Sequence, residues 1–137
     1  MVFAGINYLA IVIAALSSFG FGALYYMSLA KPWMAAIGKT ADELKANSSK
    51  TPFVVAIVAE LIIAWVLAGA LGHLGAGQVT PRNGLITGFI LWGGFVITTM
   101  AVNHAYEGAK RTRTIIDGGH WLGVLLIQGL VIGFFGV

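Results

Sequence analysis

The stretch 52–75, PFVVAIVAELIIAWVLAGALGHLG, holds one acidic side chain, Glu60, in a run that is otherwise apolar until His73. Its length is close to the roughly 20 residues that carry a helix across hydrocarbon. Three further stretches read the same way, at about 5–30, 83–103 and 115–135. The fold class that follows is all-α, a four-transmembrane-helix bundle in a single domain over 1–137. Composition agrees. Of 137 residues, 58% are hydrophobic and 9% charged, and the mean hydropathy is +0.90, which leaves too few polar groups to cover a globule in water.

The cations set an orientation. Lys31, Lys39, Lys45 and Lys50 fall between the first and second spans, and Lys110, Arg111 and Arg113 fall between the third and fourth. Arg82 lies on the opposite side. Because a Lys/Arg excess in short loops marks the cytoplasmic face, both termini are expected to be periplasmic or extracellular, with the chain in a bacterial inner membrane. The net charge of +3 is accounted for by this asymmetry, and Asp42, Glu43, Glu107 and Asp117 interleave with the cations. Nucleic acid is therefore not an expected partner. The absence of cysteine removes disulfides, thiolate metal sites and thiol nucleophiles. The first span has no basic segment before it and is too long for a cleaved signal, so it is expected to persist as a helix.

Helix punctuation sits at the span edges. Pro32 is read as the stop of the first span, and Thr51-Pro52 and Thr80-Pro81 as N-caps followed by first-turn prolines. Thr114 to Asp117 reads as a variant capping box opening the fourth span, and Thr40 to Glu43 as the capping box of a short helix between spans one and two. That short helix, with Met34, Ile37 and Leu44, is placed along the interface, with Lys31 and Trp33 as anchors.

Nineteen glycines are present, and the pairs Gly84/Gly88, Gly119/Gly123 and Gly129/Gly133, together with Ser18/Gly22, recur at the spacing that lets helix backbones approach closely. Packing inside one bundle is the simpler reading, and a subunit interface is the other. Four helices bury little surface among themselves, so a homo-oligomer or a larger membrane complex is expected, surrounded by membrane lipid.

Ionisable groups inside spans point to function, because a charge at bilayer depth is costly. Glu60 lies about 12 Å along its helix from the cytoplasmic end, at about 1.5 Å per residue. His120, Tyr25, Tyr26, Thr98 and Thr99 reach a similar level, and together they form a candidate ligand or ion path. Nearer the surface stand Asn103, His104, Glu107 and Asp117. His104 with Glu107, and Asp117 with His120, share helix faces through their i, i+3 spacing. Such pairs suit a metal or a proton relay. Set against that, Arg111 is placed to pair with Glu107, Asp117 is placed to cap a helix, and Gln128 suits an interhelical hydrogen bond. No GxSxG, phosphate-binding loop or HExxH occurs, and the sequence leaves any cofactor or metal unassigned.

Phe19-Gly-Phe-Gly-Ala-Leu-Tyr-Tyr-Met-Ser28, Lys31-Pro-Trp33-Met-Ala-Ala-Ile-Gly38 and Ile115-Ile-Asp117-Gly-Gly-His120-Trp-Leu-Gly123 are each conspicuous. With their spacing, they resemble a family of small bacterial four-helix membrane proteins catalogued as a domain of unknown function. Tyr25-Tyr26 stands where that pattern has a Trp-Tyr pair. The resemblance implies the four-span fold and a shared structural feature built from the aromatic pair, Trp33, Asp117 and nearby glycines, and it brings no activity. Three functions are weighed in order: a homo-oligomeric channel or small-solute, ion or proton transporter; an accessory subunit of a larger complex; and a membrane enzyme or metal protein.

Overall fold

The structure, a computed structural model, describes residues 5–136; the two chain ends, 1–4 and 137, for which an orientation was expected, lie outside the described residues. Among the described residues every element is helical: α1 Tyr8–Ser28, α2 Ala30–Ile37, α3 Ala41–Ala46, α4 Thr51–Gly72, α5 Pro81–Leu91, a π-helical turn Trp92–Val96, α6 Ile97–Glu107 and α7 Arg111–Phe135. Four segments are long and apolar enough to cross a membrane, namely Tyr8–Ser28, Thr51–Gly72, Pro81–Glu107 and Arg111–Phe135. The chain reads as a multi-pass membrane protein. Gly38 (φ 69°) and Gly108 (φ 67°) end α2 and α6 in the left-handed conformation that glycine adopts without a Cβ clash.

Span edges depart from the expected ones in instructive ways. The first helix breaks at Leu29, and Pro32 lies in the first turn of α2. A proline cannot donate to the carbonyl four residues back and crowds it, so the ladder fails one turn before the ring, at Ser28 and Leu29. The connection therefore holds two short helices, α2 and α3, the second opened by the Thr40/Glu43 capping box. Thr80 caps α5 through a bond from the Asn83 amide, whereas Thr51 does not cap α4; Lys50 occupies that position with no side-chain bond. The box expected at Thr114 is also absent, because α7 starts at Arg111 and Asp117 sits inside the helix. Its carboxylate is used by other elements, described below.

α7 is the hub, packing against α5, α1, α4, α6 and α2. Its contact with α5 is backbone on backbone. A Cβ on Gly84 would overlap the Gly129 carbonyl, one on Gly129 would overlap that of Gly84, and one on Gly133 would overlap that of Thr80. No side chain fits there, so the glycine strips set the distance between the helices. Away from the basic loops the bundle is filled by Ala14, Ala64, Leu67, Leu71 and Ile132, each at most 1% exposed. The third span is peripheral: 6% of its apolar window is buried, against 33% to 44% for the other three.

Candidate functional site

Ser18 lies midway along α1, ten residues from Tyr8 and ten from Ser28, or about 15 Å from each end. It meets Glu60 of α4 and Gln128 of α7, and all three are at most 2% exposed. Ser18 Oγ is 2.5 Å from Glu60 Oε2 and 3.0 Å from the Ala15 carbonyl oxygen. The Gln128 amide donates to Ser18 Oγ and to the Glu60 carbonyl, each at 3.0 Å. Ser18 has one proton to donate and faces two acceptors, the Ala15 carbonyl and the Glu60 carboxyl, while its Oγ accepts from Gln128. Gln128 Oε1, by contrast, is buried without a hydrogen-bond partner. Three polar groups from three spans thus lock the bundle at mid-depth, with one acceptor left over.

Glu60 also faces a cleft of about 460 Å³ that runs toward the basic end. Its walls come from α1, α2, α3, α4 and α7, and Phe19, Tyr26, Trp33, Phe53 and Trp121 supply aromatic faces. Met34 and Leu44 place the two short helices over the cleft, and Lys110 Nζ holds α2 down by donating to the Ala35 carbonyl at 3.1 Å. None of the residues lining the cleft belongs to the packed half around Ala14, Leu67 and Leu71.

His120 also lines the cleft. Its ring is surrounded by aromatic rings, with centroids of Tyr26 and Trp121 at 4.9 Å, Tyr25 at 5.8 Å and Phe21 at 6.2 Å. Nδ1 is buried and has no hydrogen-bond partner. A Cβ on Gly22 would come within 2.7 Å of Nε2, so the small residue there makes room for the imidazole. Asp117, one turn earlier on α7, organises the rim: its Oδ1 accepts from the Tyr26 hydroxyl at 2.8 Å and from Trp33 Nε1 at 3.2 Å, and Arg113 Nε lies 3.8 Å from Oδ2. Tyr25 donates to the Ile116 carbonyl at 2.7 Å.

The candidate path residues are thus divided. Glu60, His120 and Tyr26 share the cleft, Tyr25 backs it, and Asp117 fixes its rim. Thr98 and Thr99 are exposed on the outer face of α6, where the Thr98 hydroxyl bonds the Gly94 carbonyl of its own span. The third span contributes no residue to the lining of the cleft, so reaching the same depth does not bring these threonines to it. Asn103 is exposed, and buried His104 bonds Thr114 across the loop at 2.8 Å. Glu107 pairs with Arg113 at 3.0 Å and not with the expected Arg111, because the chain turns at Gly108 before either arginine. Among the described residues no three His, Asp or Glu side chains come together as a metal site. Lys31 is exposed, and half-buried Trp33 donates its Nε1 to Asp117. Gly119 faces the Tyr25 hydroxyl, and Gly123 faces the Phe21 ring. The mid-span position of both Ser18 and Glu60 hints at their partnership, but in the sequence Ser18 reads only as a small residue at packing distance from Gly22.

No curated protein and no solved structure matches the chain. A family match runs over residues 9–133, from the first turn of α1 to the last turns of α7, and takes in the cleft and its floor; the chain belongs to the family described as Protein of unknown function (DUF1761).

Proposed function

We propose that the protein is a small-solute transporter whose binding site is the aromatic cleft, open toward the cytoplasm and floored by Glu60 and His120. The observation that carries this reading is the pairing of a mid-span carboxyl group with a cleft of about 460 Å³ leading to it. A group needed for packing alone has no use for such an approach, and intramembrane ionisable residues are costly unless they serve a path or a partner. The closed half beyond Ala14, Leu67 and Leu71 favours alternating access over a standing pore. The excess of Lys and Arg in the loops at the open end supports assigning that side to the cytoplasm. Proteoliposomes exposed to a pooled extract of small cytosolic solutes, with the lumen analysed by mass spectrometry, test it. At least one solute accumulates with the wild-type chain and not with Glu60→Gln; equal contents in wild-type, Glu60→Gln and protein-free vesicles would refute the proposal.

A second reading, a subunit docked on a copy of itself or on a larger complex, is favoured by the third span. Its outer face leaves Phe89, Ile90, Phe95 and Val102 at least half exposed. Recovery of the chain from its own membranes as a free single copy would count against it.

A further inference from the structure

We infer that the cleft takes an amphipathic monocation, an amine or quaternary ammonium attached to an apolar body, with the cationic head beside Glu60. This rests on the reading of the cleft as a binding site and adds the chemistry of its occupant. Three observations converge. Glu60 is the one acidic side chain lining the cleft; no lysine or arginine joins it there, and no ion pair among the described residues includes it. A carboxyl group taken out of water without a counter-charge is the feature a bound cation would complete. The walls then supply what a poorly hydrated cation prefers, since Phe19, Tyr26, Trp33, Phe53 and Trp121 line the same space and ring faces attract positive charge. Finally, Gln128 Oε1 next to the floor is a buried acceptor without a donor, and His120 Nδ1 is a second buried polar atom without a partner. An anion would find no positive side chain. A lipid acyl chain would fill the apolar walls and leave the floor unmatched.

The test uses the full chain in lipid nanodiscs, with benzyltrimethylammonium as the probe and neopentylbenzene, in which carbon replaces the charged nitrogen, as its neutral isostere. Binding is read by titration calorimetry and by the fluorescence of the tryptophans, two of which line the cleft. The cation is expected to bind saturably, to weaken by about tenfold or more in Glu60→Gln and by a few-fold in Trp121→Leu, and to resist competition by the isostere. Glu60→Asp, which keeps the charge, restores part of the affinity and separates loss of charge from loss of fold. If the isostere competes equally, or Glu60→Gln binds the cation as well as wild type while Trp121→Leu still weakens it, the monocation is wrong and the cleft remains a binding site. Binding indifferent to both Glu60→Gln and Trp121→Leu would overturn the cleft reading as well.

Discussion

Replacing Gly129 by alanine sets two known effects against each other. In a helix, alanine is favoured over glycine by about 0.8–1 kcal/mol, and at an open position that gain should appear. At Gly129 the new Cβ would sit 3.2 Å from the Gly84 Cα and closer still to its carbonyl. Carbon atoms settle at about 3.5–4.0 Å, so α5 and α7 must separate by on the order of 1 Å along a backbone that cannot rotate out of the way. The flanking contacts at Gly88 and Gly133 would loosen with it. Overpacking of this kind typically costs about 1–3 kcal/mol, which set against the helix gain leaves a net loss of about 0–2 kcal/mol. Gly20, with open space where its Cβ would lie, is the internal control and should be neutral or stabilised. Reversible unfolding in bicelles measures both, and the Gly84→Ala/Gly129→Ala double variant should be non-additive because both strain one contact. Equal shifts in the same direction for Gly129→Ala and Gly20→Ala would refute a backbone-on-backbone interface.

Other substitutions probe the polar groups. Gln128→Leu removes the donor to Ser18 and to the Glu60 carbonyl and should destabilise by about 0.5–2 kcal/mol, the range for interhelical hydrogen bonds in membranes, as read by the same unfolding assay. Asp117→Ala takes the acceptor from Tyr26 and Trp33 and should cost about 1–3 kcal/mol. Asp117→Asn keeps an acceptor oxygen, loses only the partly exposed Arg113 pair, and should cost less than about 1 kcal/mol; thermal melts in one detergent compare the two. His104→Ala leaves the cleft intact while breaking the Thr114 contact, so it should lower the melting temperature and leave cation binding unchanged in calorimetry.

The four spans were legible because length and hydropathy report helix crossing directly, and the basic loops stood out for the same reason. That these strips carry a close helix approach was legible in the Gly84/Gly88 and Gly129/Gly133 spacings, but which helices meet along them was not. Glu60 and His120 were conspicuous as ionisable groups at depth. What faces them was not legible, since the rotation of each helix is set by packing between spans. Ser18 looks like a spacer in the sequence, and Thr98 and Thr99 look equivalent to the cleft residues because depth along a span does not reveal that the third span lies off the cleft. Asp117 shows a different failure: its local pattern fits a cap, but the helix begins six residues earlier, at Arg111, and the carboxylate serves Tyr26 and Trp33 across the bundle. Local spacing cannot reveal a partner that lies 84 or 91 residues away in the chain.

The central claim is that an approach from the basic face ends at Glu60. The chain has no native cysteine, so single cysteines can map it with a small water-soluble thiol reagent added to one face of sealed vesicles. Ala56 lines the cleft one turn before Glu60, and Ala68 is buried in the closed half. Ala56→Cys should react only from the face on which exposed Lys39→Cys reacts, and Ala68→Cys should resist the reagent from both faces. An unreactive Ala56→Cys, or one modified from the face opposite Lys39→Cys, would contradict the account.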